Sequence, residues 1–255
     1  MAESTYSIEG LQTGPWLTLS HPVGSDRTTW AAQVAVLARQ YRVLSYDIRG
    51  HGHAPSQGSV CSVDDLAADV HRLWQQLGIE RSHFVGLSLG GCVGLALAHR
   101  HPETVQSLVI ANARLEMDTA ATQMWLQRAA TVEQHGMAPV VEPTLERWLT
   151  PAFKALQPTQ VAAVRRSLAA TSPEGFAACA RALADMHQAH RLLDLKIPTL
   201  LLAGLSDLAV PRDLMQGYAA SNARLQFVEL SGPHIVHLEN PDGFSRAVLD
   251  FLAPR

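Results

Sequence analysis

The chain has 255 residues, of which 47% are hydrophobic, enough apolar material to bury one substantial core. Its formal net charge of −3 provides no basic face for a phosphate backbone, which excludes nucleic acid as an expected partner. The N-terminus lacks the positive start and apolar run of a signal peptide, and no stretch approaches the ~20 apolar residues that span a bilayer. We therefore expect a cytoplasmic protein without membrane contact.

The cysteines and histidines form no pattern that predicts a metal or a cofactor. The three cysteines, Cys61, Cys92 and Cys179, are an odd number at wide spacing, which favours reduced thiols over a disulfide framework. The twelve histidines include close pairs, but these pairs lack the cysteine partners or the His-Glu-x-x-His arrangement of zinc sites. We expect no metal site and no cofactor.

Short apolar runs alternate with helical segments along the chain. Continuous apolar runs predict strands that are covered on both faces, as in a parallel sheet flanked by helices. The predicted strands are 16–19, 42–46, 83–85, 107–110, 199–202 and 225–228, with room for one more short strand near 6–8. The predicted helices are 30–39, 63–77 and 91–100, and Ser62 has the hydroxyl that caps a helix N-terminus. This order predicts an α/β fold with a mostly parallel, doubly wound sheet.

The alternation stops at about Asn112 and resumes at Ile197. The segment between them has helical character, and its prolines predict helix breaks. These are Pro139, Pro143, Pro151, Pro158 and Pro173. An insertion entered and left at strand ends is most simply a helical cap over the carboxyl edge of the sheet, where ligands bind in open α/β sheets. We predict a core of residues 1–112 and 197–255 and a cap of residues 113–196.

One serine lies between a predicted strand and a predicted helix, with glycines on both sides. The spacing Gly86-x-Ser88-x-Gly90 is that of a nucleophile elbow, a sharp turn that exposes a hydroxyl near a helix N-terminus. Glycine at both positions lets the strand and the helix approach closely while the serine takes a strained backbone conformation. Ser88 is therefore the candidate nucleophile.

Four motifs follow one another in a characteristic order. They are YDIRGHG at 46–52, GLSLGG at 86–91, AGLSDLAVP at 203–211 and HIVHLENP at 234–241. With the predicted cap, they resemble the α/β-hydrolase fold superfamily over nearly the whole chain, and within it the chain is similar to the 3-oxoadipate enol-lactonases. The resemblance implies an α/β-hydrolase core, a helical cap and a Ser–acid–His triad.

The resemblance implies an acid and a base that serve Ser88. A serine needs an imidazole to accept its proton and a carboxylate to orient that imidazole. Asp207 matches the family acid, since the alternative family position, after the preceding strand, holds Asn112. His234 matches the base by its spacing of five residues from the Glu-x-Pro element. His237 is the alternative base; otherwise it lines the pocket or packs.

The tetrahedral intermediate of such a reaction needs N–H donors aimed at its oxyanion. One is expected from Leu89, which directly follows the candidate nucleophile. In relatives the second donor comes from a loop after an early strand, which here is the segment SHPVG at 20–24. Because Pro22 has no N–H, we assign the second donor to Val23.

The resemblance implies hydrolysis of a lactone or ester through an acyl-enzyme, with an enol-lactone of the 3-oxoadipate type as the first substrate. Such a substrate carries a carboxylate that Arg147 would bind, with Trp148 as an apolar wall and His237 as a further substrate-binding residue. Arg147 is alternatively a solvated helix arginine. The alternative functions are a general carboxylesterase, a carbon–carbon bond hydrolase, a cofactor-free perhydrolase, and a slow-turnover ligand receptor on the same fold.

Overall fold

The fold is built on a central sheet, here in a computed structural model that describes residues 4–58 and 61–253. Within these ranges the strands are β1 (Tyr6–Gly10), β2 (Trp16–Ser20), β3 (Arg42–Tyr46), β4 (Ser82–Leu87), β5 (Val105–Ala111), β6 (Thr199–Gly204) and β7 (Leu225–Leu230). Their order in the sheet is β1-β3-β2-β4-β5-β6-β7. β1 pairs antiparallel with β3, and the other neighbours are parallel. Each predicted strand is confirmed.

Helices cover both faces of this sheet. In chain order they are α1 (Ala31–Leu37), α2 (Val63–Gln76), α3 (Leu89–Arg100), α4 (Thr119–His135), α5 (Ala138–Trp148), α6 (Pro151–Leu156), α7 (Pro158–Ala170), α8 (Pro173–Ala184), α9 (Arg212–Ala220), α10 (Val236–Glu239) and α11 (Pro241–Leu252). A 3-10 turn, Arg27–Trp30, precedes α1. The Ser62 cap is confirmed, because its Oγ accepts from the Asp65 N–H while Asp65 accepts from the Ser62 N–H. Within the described ranges, no helix has the length and apolar character needed to cross a bilayer.

Alternate residues of the central strands supply two hydrophobic cores, one on each face. Phe84 of β4 and Leu108 of β5 pack with α2, α3 and α8. Their neighbours Val85 and Val109 belong to the second core, with α1, α5 and α11. Successive side chains of a strand point to opposite faces, so apolar residues at both parities require helices on both sides. Because strands β2 to β7 are parallel, their carboxyl ends meet at one edge of the sheet.

The elements between β5 and β6 include the helices α4 to α8, which we call the cap helices. Proline stands in the first turn of α5, α6, α7 and α8, where a missing N–H costs little. The break predicted at Pro143 is wrong, because Pro143 lies inside α5. It lies early in that helix, so only one bond, to the carbonyl of Pro139, is lost. The boundaries 113–196 of the cap stay a prediction.

Candidate active site

Ser88 occupies a strained turn between β4 and α3. Its φ of 55° and ψ of −117° lie outside the usual regions for an L-residue, as expected for a nucleophile elbow. A Cβ at Gly86 would lie 2.2 Å from the Gly90 carbonyl oxygen, and one at Gly90 would lie 2.1 Å from that of Ser20. Only glycine fits at either position. The Ser88 N–H donates to the carbonyl of Ala111 at 2.8 Å, which holds the turn against the end of β5.

A cavity of about 310 Å³ lies between the carboxyl edge of the sheet and the cap helices. From the core it is lined by residues that follow the ends of β2, β4, β6 and β7 and by one residue of α3. These are Val23, Ser88, Ala209, Val210, His234 and Cys92. The cap lining includes Met124, Trp125, Arg128, Thr144, Arg147 and Trp148. The cavity therefore has the size and mixed polarity of a small-molecule site.

His234 and Asp207 form a buried hydrogen-bonded pair beside this cavity. His234 Nδ1 lies 2.8 Å from Asp207 Oδ2, and the two side chains are 4% and 0% exposed. The other carboxylate oxygen accepts from the N–H groups of Ala209 at 2.6 Å and Val210 at 2.9 Å. These donors stabilise an ionised carboxylate, which in turn keeps the proton on Nδ1 and leaves Nε2 as the basic nitrogen. His234 and Ser88 line the same cavity.

The loop after β2 is held by a buried histidine that the sequence did not single out. His21 Nδ1 donates to the carbonyl of Pro22 at 2.8 Å, and its Nε2 accepts from the Ile48 N–H at 2.9 Å. Both ring nitrogens are thus used by a neutral imidazole. Among the described residues, no protein group accepts from the N–H of Val23 or of Leu89. These two N–H groups are the predicted oxyanion donors, and that role stays a prediction.

Three arginines line the cap side of the cavity. Arg114 pairs with Asp118 at 3.0 Å, but within the described chain neither Arg128 nor Arg147 has a carboxylate partner. Burial lowers the pKa of Arg128 to about 10, and burial also lowers the pKa of Arg147, against the raising effect of Asp207. Arg147 Nη1 lies 2.9 Å from Met124 Sδ, a weak acceptor. The cavity thus contains two incompletely compensated cations.

The chain is similar to known proteins over nearly its whole length. The sequence matches the family model described as alpha/beta hydrolase fold over residues 19–241. The chain belongs to the α/β hydrolase fold family. A 3-oxoadipate enol-lactonase of Acinetobacter baylyi is 32% identical to this hydrolase over 243 residues, covering 95% of this chain and 90% of that protein. RutD of Pseudomonas savastanoi pv. phaseolicola, named provisionally as a carbamate hydrolase, is also 32% identical, over 93% of each chain.

A solved structure of an enol-lactonase is also similar to this hydrolase. The crystal structure of the enol-lactonase from Burkholderia xenovorans has a TM-score of 0.93 and 34% sequence identity, covering 97% of this chain and 95% of that chain. The predicted fold class and the resemblance to the enol-lactonases are both confirmed. This protein is an enzyme of the hydrolase class, and its substrate is a small molecule.

His237 lies outside the cavity of this hydrolase. It is fully buried, with its Nε2 2.9 Å from the Thr29 hydroxyl and its ring centroid 4.4 Å from that of Trp30. Its carbonyl accepts from the Gln33 side-chain amide at 2.9 Å. Burial lowers the pKa of His237 to about 3. The sequence left three roles open for His237, namely the base, a pocket residue and a packing residue. These contacts support packing, so we remove His237 from the predicted substrate-binding residues.

Trp148 and Arg147 do line the cavity, as the sequence predicts for substrate-binding residues. The Trp148 ring centroid lies 6.0 Å from that of His234, so the indole forms a wall next to the candidate base. Arg128 and Arg114 were missed. Their only sequence signal is a position in the predicted cap, which does not distinguish them from surface arginines.

Glu239, the first residue of the Glu-x-Pro element, has a structural role that the sequence did not indicate. Its two carboxylate oxygens accept from the N–H and the hydroxyl of Thr150, each at 2.7 Å. Thr150 is the N-cap of α6 and lies two residues after Trp148. Glu239 therefore joins the segment that follows His234 to the cap segment that lines the cavity.

Buried histidines should make the folded hydrolase lose stability as the pH falls. Burial lowers the pKa of His21 to about 4 and those of His51 and His237 to about 3, against about 6.5 in an unfolded chain. Below about pH 6.5 the unfolded state therefore binds more protons than the folded state, and the free energy of unfolding decreases toward the folded pKa values. We expect urea titrations to give a smaller free energy of unfolding at pH 5 than at pH 7.

The matched test of this pH dependence uses one buried and one exposed histidine. His51→Gln should flatten the dependence by up to about 1.4 kcal/mol per pH unit. His135→Gln, at an exposed position near the end of α4, is the control. Equal slopes in wild type and His51→Gln would show that His51 does not contribute.

Proposed function

We propose that this hydrolase cleaves a lactone or ester that carries a free carboxylate, with an enol-lactone of the 3-oxoadipate type as the first candidate. The observation that carries the proposal is the pair of arginines, Arg128 and Arg147, that line the same cavity as Ser88 without a carboxylate partner among the described residues. Similarity to enol-lactonases from two organisms supports the choice of substrate.

In the proposed reaction Ser88 Oγ attacks the lactone or ester carbonyl while His234 Nε2 accepts its proton. Asp207 stabilises the imidazolium through the 2.8 Å bond at Nδ1. The oxyanion accepts from the N–H groups of Leu89 and Val23, each of which is typically worth about 3 to 4 kcal/mol of transition-state stabilisation. His234 returns the proton to the leaving oxygen and then activates a water that hydrolyses the acyl-enzyme.

An enol-lactone suits this site because its leaving group is a stabilised enolate. Departure of an enolate needs little assistance, and subsequent tautomerisation to a ketone makes ring opening effectively one-way. The same triad would cleave simple esters, so the triad alone does not define the substrate. We expect selectivity for an acidic substrate to come from the cap side of the cavity, which carries the arginines.

The electrostatics of the cap favour an anionic substrate. Burial lowers the pKa of both Arg128 and Arg147, so each guanidinium is less well solvated than in water. A bound carboxylate would replace the lost hydration with charge-assisted hydrogen bonds, and arginine can form two of them in parallel. The Arg128 guanidinium donates from Nη2 to the Thr144 hydroxyl and lies 5.4 Å from the centroid of Trp125, so its position is already fixed by the cap. Arg147 is therefore the better candidate for direct carboxylate binding, with Arg128 adding positive potential.

Replacing Arg147 tests the proposal. Arg147→Met replaces the guanidinium with an unbranched apolar side chain and so removes the charge while filling part of the same space. KM for an enol-lactone with a free carboxylate should therefore rise by about 10-fold or more. KM for a neutral short-chain aryl ester should change little. The measurement is steady-state kinetics with both substrates, and Arg165→Met is the control, because Arg165 is exposed and pairs with Glu142 on the outside of the cap.

The outcomes of a wider substrate screen separate the alternatives. A kcat/KM for aryl esters above that for the enol-lactone, with no effect of Arg147→Met on either, would favour a general carboxylesterase. A carbamate belongs in the screen because of the similarity to RutD. Product analysis identifies carbon–carbon cleavage or perhydrolysis, and product release that stops at one equivalent would favour a ligand receptor.

A further inference from the structure

Asn112 lies where the loops that carry the candidate acid and base meet. It follows β5 directly, is fully buried, and has a φ of 44°, a left-handed conformation that asparagine tolerates better than most residues. Its N–H donates to the carbonyl of Leu202 at 2.9 Å, which continues the pairing of β5 with β6. The backbone at this strand end is therefore fixed, and with it the origin of the side chain.

The side-chain amide of Asn112 joins three segments through three hydrogen bonds. Its Oδ1 accepts from the Gly204 N–H at 2.7 Å, at the end of β6. Its Nδ2 donates to the carbonyls of His234 at 2.7 Å and Pro233 at 3.1 Å. An N–H on one side and two carbonyls on the other allow only one orientation of the amide. The residue that carries the candidate base is thus bonded directly to Asn112.

These segments approach so closely that small movements would be transmitted to the imidazole. A Cβ at Gly204 would lie 2.5 Å from the Pro233 carbonyl oxygen and 2.7 Å from that of Gly232. The Ser206 N–H, one residue before the candidate acid, donates to the Gly232 carbonyl at 2.9 Å. The acid loop and the base loop are therefore one packed unit, and Asn112 is the side chain that ties this unit to β5.

The nucleophile is attached to the same strand end. The Ser88 N–H donates to the carbonyl of Ala111, the residue before Asn112. Asn112 thus connects the backbone that holds Ser88 to the backbone that holds His234. A carboxylate at 112 would keep the bond from the Gly204 N–H but would face the two carbonyl oxygens, so the amide is required for all three bonds.

We propose that Asn112 is a positioning residue, which sets the location of the His234 imidazole relative to Ser88 and Asp207 through the main-chain carbonyl of His234. It touches no reacting atom. The inference rests on the proposed serine hydrolase site, and it predicts that loss of the amide impairs the chemical step more than substrate binding.

The variants are chosen to separate the hydrogen bonds from the backbone strain. Asn112→Gly removes the side chain at a position where glycine adopts positive φ without strain, so only the loss of the three hydrogen bonds is tested, and kinetics are expressed per folded molecule from circular dichroism. Asn112→Asp keeps only the acceptor. The control is Asn222, whose Nδ2 donates to the Leu192 carbonyl at 2.8 Å and whose Oδ1 accepts from the Arg224 N–H at 3.0 Å. Asn222 precedes β7, does not line the cavity, and receives the same two substitutions.

The measurements are kcat and KM, the rate at which a fluorophosphonate modifies Ser88, and the NMR signal of the His234 Nδ1 proton. We expect kcat and the modification rate to fall about 10- to 100-fold in both Asn112 variants, with KM within about threefold of wild type. The Nδ1 proton signal should shift or broaden. Both Asn222 variants should keep wild-type kinetics per folded molecule.

Two outcomes would overturn this inference, and they can be told apart. If wild type is modified at Ser88 and Asn112→Gly reacts at the same rate with an unchanged Nδ1 signal, Asn112 does not position the base. If wild type itself is not modified at Ser88, the proposed function fails, and the role of Asn112 fails with it.

Discussion

Replacing Ser88 by alanine should lower kcat by about 10⁶-fold, the order of magnitude found when the nucleophile of a serine protease is removed. The substitution deletes one oxygen at a residue that keeps its backbone bond to Ala111. The strained φ of 55° is set by the flanking elements and by Gly86 and Gly90, so the turn should persist. Steady-state kinetics on the purified variant and its thermal unfolding give the two readouts.

The melting temperature of Ser88→Ala shows whether the variant is still folded. A melting temperature within a few degrees of wild type, together with loss of turnover, assigns the effect to chemistry, because a ΔΔG of 1 kcal/mol shifts Tm by only about 2 to 4 °C in a protein of this size. Retention of more than a small fraction of wild-type kcat by a folded Ser88→Ala would exclude Ser88 as the nucleophile.

His234→Ala should have an effect of similar size, about 10⁴-fold or more in kcat, since a serine hydroxyl without its base is a poor nucleophile. Removal of the ring also leaves Asp207 Oδ2 without its 2.8 Å partner in a buried site. Some loss of stability is therefore expected, and kcat is to be expressed per folded molecule from circular dichroism.

His237→Ala is the matched comparison. His237 is fully buried against Trp30 and Phe244, so its removal should cost about 2 to 4 kcal/mol of unfolding free energy through the cavity that it leaves. Turnover per folded molecule should nevertheless stay within a few-fold of wild type. An inactive His237→Ala beside an active His234→Ala would reverse the assignment of the base.

The parts of this enzyme that the sequence predicts are those specified locally. The strands are short continuous apolar runs, and Phe84 with Val85 shows why, since adjacent residues fill opposite cores. The elbow is recognisable from its local glycine spacing, although only the Gly86 constraint is local: a Cβ at Gly86 would meet Gly90, whereas one at Gly90 would meet Ser20 at the end of β2. The α/β class and the position of Ser88 follow from such patterns without any knowledge of long-range contacts.

The features that the sequence did not predict depend on contacts between distant segments. Arg128, which the sequence did not indicate, joins Arg147 in the cavity only because α4 packs against α5, and helix phase decides which cap arginines face inward. The environment of His237 is set by the packing of Trp30 and Phe244. Asn112 could be read as an alternative acid position but not as an amide bonded to the His234 carbonyl, since that bond spans 122 residues.

The most direct test of the account is the site and stoichiometry of serine phosphonylation by an active-site probe. Wild-type enzyme is treated with a fluorophosphonate, and residual activity is compared with the modified fraction from intact mass spectrometry and peptide mapping. We predict one modification per chain, on Ser88, with activity lost in proportion to it. Inactivation with Ser88 unmodified, or full activity with Ser88 fully modified, would contradict the account.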